Sequence, residues 1–297
     1  AEEEPLALAT QGRRNPREPG TRFDGTITVP GGQTTTGGAL EFELVAFGEG
    51  TQPLVILPGL SDGLATVGGR ARLMQYFYRD VPPRYRVYVA SRPRSLPNDY
   101  GTREMAADYA ALLRTIGMKD GTVDLWGVSQ GGMISQWLAI DHGELLHRLC
   151  LTVTTAAPTE TLEEAVGRWM QLAREDRYGT LMRDTMRSTY TRKHLRRYAI
   201  AMPFLGLLGK PESFRRFLIQ AQACLDHDAR DSVGSISTPT LVLGGGADRV
   251  VGPETSAELA RLIPNARLEL YEELGHGAFD EAKDATPKIM SFFEEES

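Results

Sequence analysis

The sequence predicts an α/β fold: a mostly parallel, doubly wound sheet of about eight strands with a block of helices inserted late in it. Three observations carry this. Short apolar runs rich in β-branched residues alternate with stretches of helical periodicity; two runs near the start alternate apolar with polar, unlike the continuous runs after them; and from about Pro158 to Asp228 only helical patterns occur. Regular alternation of strand and helix builds βαβ units, whose right-handed crossovers lay helices on both faces of one sheet.

In chain order, residues 1–22 read as a polar N-terminal tail. "GTITVP" and "ALEFELVAF" flank the turn-rich "GGQTTTGG" and form a leading antiparallel hairpin. "PLVILP", "YRVYVAS", "TVDLWG", "RLCLTVTT", "TPTLVLGGG" and "ARLELYEEL" are continuous apolar runs, the pattern expected of strands covered on both faces. Between them, "TREMAADYAALLRTIG" places Met105, Ala106, Tyr109, Leu112, Leu113 and Ile116 at helical spacing. "TLEEAVGRWMQLARED", "LMRDTMRST", "RKHLRRYAIAM" and "ESFRRFLIQAQACLDHD" fill the inserted block. The organisation predicted is a core of 23–157 and 229–297 with a helical cap of 158–228.

Composition sets the class of protein. With 297 residues, 41% hydrophobic and 24% charged, the chain has ample material for one large core. A formal net charge of −6 argues against a nucleic-acid partner, because phosphate contacts need a basic surface. No run approaches the roughly 18–20 apolar residues of a membrane span, and "AEEEPLALATQGRRNPREPG" lacks a basic-then-apolar targeting pattern, so a cytoplasmic enzyme is expected. The only cysteines, Cys150 and Cys224, sit in apolar runs and read as two buried reduced thiols, not a disulfide framework or metal cluster.

Two stretches compete for one role. "LVILPGLSDG" (54–63) and "VDLWGVSQGG" (123–132) each end a strand-like run with Gly-x-Ser-x-Gly, the pattern of a serine held on a sharp strand-to-helix turn. At average usage such a match arises by chance about 0.1 times in a chain this long, so context decides. After Ser129 come Met133, Ile134, Trp137, Leu138 and Ala139 on a helical face, whereas after Ser61 come Gly63, Gly68 and Gly69, which are poor helix formers. Ser129 is therefore the candidate nucleophile, and a turn residue is the plainer reading of Ser61.

This arrangement resembles the α/β-hydrolase superfamily from about residue 23 to the end, in particular its serine esterase-like members with a helical cap. The family's nucleophile, acid and histidine follow in that chain order. "LVLGGGADRVVGP" and "YEELGHGAFDEA" supply Asp248 and His276 in loops after strands, the places where open α/β sheets bind ligands. His142, His147, His194 and His227 follow no strand. The resemblance implies an oxyanion hole from the backbone N–H groups of Leu60 and Gln130, with Pro58 standing where the family commonly has His.

What the resemblance implies is hydrolysis of a small or medium ester, lactone or thioester through an acyl-enzyme on Ser129, without metal or organic cofactor. The partner expected is a small acyl substrate with an apolar portion. Trp169, Met170, Met182, Met186, Met202, Phe204, Leu205, Leu207, Leu208, Phe214 and Phe217 could line a pocket over Ser129, although packing the cap onto the core accounts for about two-thirds of them. Between Arg183 and Arg216 nine Lys or Arg stand against two acids, a pattern that reads as a solvated helix face before a steering surface. Other classes carry the same residues: a lyase, acyltransferase or peptidase, or a ligand-binding receptor that retains the triad. A binder has no need of a full acid–base set, which favours the enzyme.

Overall fold

Continuous burial along the middle runs sets the layout of the computed structural model, which describes residues 15–31, 34–116, 122–198 and 209–295. All eight expected strands form: β1 (Phe23–Val29), β2 (Leu40–Phe47), β3 (Gln52–Leu57), β4 (Tyr85–Pro93), β5 (Val123–Val128), β6 (Leu146–Thr152), β7 (Thr240–Gly245) and β8 (Ala266–Tyr271). They make one sheet in the order β1-β2-β4-β3-β5-β6-β7-β8. β1 and β2 form the antiparallel leading hairpin and β2 meets β4 antiparallel; every pairing after that is parallel. The order turns back between β3 and β5, so loops leaving their C-terminal ends part and leave a crevice.

Helices cover both faces, as apolar runs such as fully buried β4 and β5 require. One face packs on α2 (Thr102–Ile116), α3 (Gln130–Asp141) and α8 (Thr255–Leu262). The opposite face packs on α1 (Ala71–Phe77), α9 (Ala278–Glu281) and α10 (Ala285–Phe293). The spacing read in α2 is the buried stripe itself: Met105, Ala106, Tyr109, Leu112, Leu113 and Ile116 are all buried. At the leading end, the buried Arg86 on β4 donates to the carbonyls of Pro16 and Thr21, which ties residues 16–21 to the sheet.

Between β6 and β7 lie α4 (Glu160–Arg174), α5 (Tyr178–Thr189), α6 (Arg192–Leu195) and α7 (Arg215–Leu225). Leu162, Val166, Trp169, Met170, Leu181 and Phe217 from these helices gather with Leu60, Met133, Val250 and Val251 in a third apolar cluster at the C-terminal ends of the strands. Thr159 caps α4 by accepting from the Leu162 amide at 3.0 Å.

One expectation is corrected. "ARLELYEEL" is not covered on both faces: β8 pairs only with β7, and Leu268 is 41% exposed. α8 packs on β8 as it does on β7, but β8 is the last strand of the sheet and leaves Leu268 to solvent. Cys150 and Cys224 are both buried and free. Burial pushes the Cys150 thiol well up and the Cys224 thiol up to about 12, so both stay protonated and inert. Among the described residues no helix is long and apolar enough to cross a membrane.

Candidate functional site

Ser129 occupies the single residue between β5 and α3, with φ 54° and ψ −115°, a conformation that costs an L-residue energy and persists only where its surroundings enforce it. The enforcement comes from the end of β6 and the loop after it: the Ser129 amide donates to the Thr152 carbonyl at 2.9 Å, and the Ser129 carbonyl accepts from Thr154 Oγ1 at 2.8 Å. The neighbouring glycines make the turn possible. A Cβ on Gly127 would stand 2.4 Å from Ser135 Oγ, one on Gly131 2.0 Å from the Leu57 carbonyl oxygen, and one on Gly132 2.7 Å from Thr154 Cβ.

The structure brings Ser129, Asp248 and His276 together. His276 Nε2 lies 2.9 Å from Ser129 Oγ, and His276 Nδ1 lies 2.8 Å from Asp248 Oδ2. An ionised carboxylate only accepts, so Nδ1 carries the proton and Nε2 is left as the acceptor facing the serine. Asp248 is held in turn by the amides of Val250 and Val251, which donate to its Oδ1 at 2.7 and 3.0 Å. Asp248 and His276 are 3% and 8% exposed, so this chain of bonds runs under little competing water. The His276 loop is braced by α5: the Gly277 amide donates to the Thr189 carbonyl, and a Cβ on Gly277 would strike the Tyr190 ring at 2.6 Å.

The second Gly-x-Ser-x-Gly stretch does something else. Leu60–Gly63 is a 3-10 turn in which Ser61 is exposed and its carbonyl accepts from the Leu64 and Ala65 amides. Its first glycine meets the elbow: a Cβ on Gly59 would lie 3.3 Å from Ser129 Cβ. Leu60 opens that turn and Gln130 opens α3, positions whose amides have no acceptor within their own helix.

Sequence reasoning missed a buried polar group behind these two turns. Asp62, Arg92, Gln130 and Gln220 are at most 2% exposed, and Arg216 Nη2 donates to Asp62 Oδ2 at 2.6 Å. Burial raises the Asp62 carboxyl, but the Arg92 and Arg216 guanidinium groups outweigh that and hold it below the usual range. Arg216 therefore does not belong to a solvated basic face, which corrects that reading. Lys210 is paired with Asp176, and Arg215 donates to Asn98, while Arg187, Arg192, Lys193, Arg196 and Arg197 are exposed. The only hint in the sequence was an acid inside a glycine-rich turn.

Of the apolar residues of the helical insertion, Trp169, Met170 and Phe217 are buried in the third cluster, and Met182, Met186 and Phe214 are half-buried. Met202, Phe204, Leu205, Leu207 and Leu208 lie outside the described residues. Among the described residues no three His, Cys, Asp or Glu side chains gather into a group that could hold a metal.

Comparison with known proteins identifies the family and the fold. Over 208 residues the chain is 29% identical to the AB hydrolase superfamily protein YisY of Bacillus subtilis, covering 66% of this chain and 73% of that protein. It is 26% identical over 175 residues to a pimeloyl-[acyl-carrier protein] methyl ester esterase of Neisseria meningitidis; the match covers 54% of this chain and 64% of that esterase, just under two thirds of its length. In three dimensions it matches MGS-M2, an alpha/beta hydrolase enzyme from a Medee basin deep-sea metagenome library, with a TM-score of 0.75 at 18% identity over 87% of this chain and 96% of the other. The alpha/beta hydrolase fold family model matches residues 52–283, which span β3 to α9 and contain the strained serine turn, Asp248 and His276, and the chain belongs to that family.

Proposed function

We propose that the protein is a serine hydrolase that cleaves a small or medium carboxylic ester-type bond through an acyl-enzyme on Ser129. The observation that carries this is the continuous chain from Ser129 Oγ through His276 to Asp248, at 2.9 and 2.8 Å, on a serine in a strained turn. Attack of Oγ on the carbonyl carbon passes the hydroxyl proton to His276 Nε2 while Asp248 stabilises the imidazolium. The tetrahedral oxygen takes hydrogen bonds from the Leu60 and Gln130 amides, each such donor being worth about 2.7–4 kcal/mol. His276 then protonates the departing alcohol; in the second half it takes a proton from water as the water attacks the acyl carbon, and returns it to Ser129 Oγ as the bond to the acyl carbon breaks and the acid leaves.

The relation to a methyl ester esterase supports an ester-type bond, and the helical insertion between β6 and β7 supports a cap, residues 158–228, that roofs the acyl site. The test sets the look-alike serines against each other. Ser129→Ala should gain no mass from a fluorophosphonate and lose turnover of a nitrophenyl ester by several orders of magnitude. Ser61→Ala should label as the parent does and change rate by at most about tenfold, the effect of one hydrogen bond of about 1 kcal/mol. An adduct on Ser129→Ala and none on Ser61→Ala would reverse the assignment.

A further inference from the structure

The buried polar group behind the two turns joins four elements that are far apart in sequence: the turn at Leu60–Gly63, β4, α3 and α7. Arg216, on α7, donates from Nη2 to Asp62 Oδ2 at 2.6 Å, from Nε to the Asp62 carbonyl at 3.2 Å, and from Nη1 to the Pro93 carbonyl at 2.6 Å. One turn along α7, Gln220 Nε2 donates to the same Asp62 Oδ2 at 3.0 Å. On the other side Gln130 spans the gap: its Nε2 donates to the Gln220 carbonyl at 2.6 Å, and its Oε1 accepts from Arg92 Nη2 at 2.8 Å. Gly63 permits the approach, since a Cβ there would stand 2.7 Å from Phe217 Cα.

We propose that α7 is the clamp that sets the distance between the two amides assigned to the oxyanion, with Arg216 and Gln220 as positioning residues. The inference rests on the esterase reading of the site. Its physical content is that those amides sit on separate supports. Leu60 belongs to a short turn after β3 whose first residue has no side-chain cap, and Gln130 belongs to α3 after β5. The two turns touch, a Cβ on Gly59 lying 3.3 Å from Ser129 Cβ, but such packing does not by itself lock the direction of an amide. α7 holds both: it grips the first through Asp62, two residues from Leu60, and the second through the side chain of Gln130 itself. An arginine fork suits this use because its planar donors fix direction as well as distance. A helix from the insertion thus completes the oxyanion site from behind, and the enzyme is competent only with α7 seated.

The experiment compares the parent with Arg216→Met, Arg216→Lys and Gln220→Leu. It measures kcat and KM for one nitrophenyl ester, the Ki of the matching trifluoromethyl ketone, whose adduct places an oxyanion where the ester's would be, and Tm. Arg216→Met and Gln220→Leu should lower kcat by about 10- to 100-fold, the range for a catalytic group displaced by up to about 1 Å. The ketone should weaken by a similar factor while KM moves less than about threefold, because a transition-state interaction is lost and ground-state binding is not. Arg216→Lys keeps the charge without the fork and should fall between. A lowered Tm with kcat and Ki at parental values overturns the proposal, as does a change confined to KM. Gln220→Leu leaves the Asp62–Arg216 pair intact and decides the matter if Arg216→Met does not fold. A parent that neither turns over esters nor labels at Ser129 overturns the esterase reading and this inference with it; a parent that labels while the variants keep parental kcat and Ki overturns this inference alone.

Discussion

Adding one methyl group at Gly131 should cost about 100-fold in catalysis while the protein still folds. A Cβ there would lie 2.0 Å from the Leu57 carbonyl oxygen, 2.6 Å from its carbon and 2.9 Å from the Pro58 carbonyl oxygen, where ordinary contact begins at 3.4 Å. These are backbone atoms at the end of β3, which is paired with β5 at Leu57 and Gly127, so they cannot swing aside as a side chain would. The first turn of α3 must instead lift from β3 by more than 1 Å to restore contact distance. That direction separates the Gln130 amide from the Leu60 amide, the pair proposed to meet the oxyanion. A displacement of about 1 Å is worth about 100-fold in rate, and overpacking of this kind costs about 1–3 kcal/mol of stability. The assay is kcat on saturating nitrophenyl ester for Gly131→Ala that retains the parent's circular dichroism, with Tm measured beside it. A folded Gly131→Ala with kcat near the parent's would refute the claim that these two backbone segments define the site.

Gly167 is the contrasting case: it lies inside α4 with nothing within 4 Å of a Cβ, so Gly167→Ala should raise the unfolding free energy by about 0.5–1 kcal/mol, read as a higher urea midpoint, and a lower midpoint would contradict it. Asp248→Asn removes the acceptor that holds the Nδ1 proton of His276 and should lower kcat by about 10⁴-fold while the protein stays folded; a loss under tenfold would mean that the imidazole is oriented by something else. Burial holds the His227 imidazole down to about 4 from its ordinary 6.5, with Nδ1 bonded to Thr102 Oγ1. The unfolded chain therefore takes up that proton first, and stability falls as pH drops from about 6.5 towards 4, by about 3 kcal/mol in all. Urea titrations at pH 7 and 4.5 check this: His227→Gln should lose less stability over the interval than the parent, and an equal loss would assign the acid sensitivity elsewhere.

The parts of this molecule that were legible in the sequence are those whose cause is local. Periodicity exposed all eight strands and α2, because each residue's partner in that pattern is a few positions away. Ser129 could be separated from Ser61 by the helix-forming residues that follow it, and Asp248 and His276 by their place after strands in a set order. Coverage of β8 was not legible, since nothing in "ARLELYEEL" states that no further strand lies beside it. The clamp was less legible still. Arg216 and Asp62 are 154 residues apart, and an arginine in a basic stretch looks solvated until a fold sets a carboxylate against it.

The recurrence of Gly-x-Ser-x-Gly then has a physical explanation that the serines do not supply. In the second occurrence, Gly127 and Gly131 let α3 press against β5 and β3; in the first, Gly59 lets the turn touch Ser129 and Gly63 lets α7 touch the turn. Gly63, Gly127 and Gly131 stand where a Cβ would lie under 3.0 Å from its neighbours, which only glycine allows, and Gly59 marks a tighter than ordinary contact at 3.3 Å. The serine between them is under different constraint in the two cases: Ser129 is forced to φ 54° with its hydroxyl on His276, while Ser61 stands exposed on a 3-10 turn. What the repeated pattern encodes is close approach on both sides of one site, first of a helix to a strand and then of the insertion to the turn that the strand carries. Replacing either outer glycine should therefore disturb the same chemistry by moving opposite walls of it, whereas replacing the two serines should not give the same result.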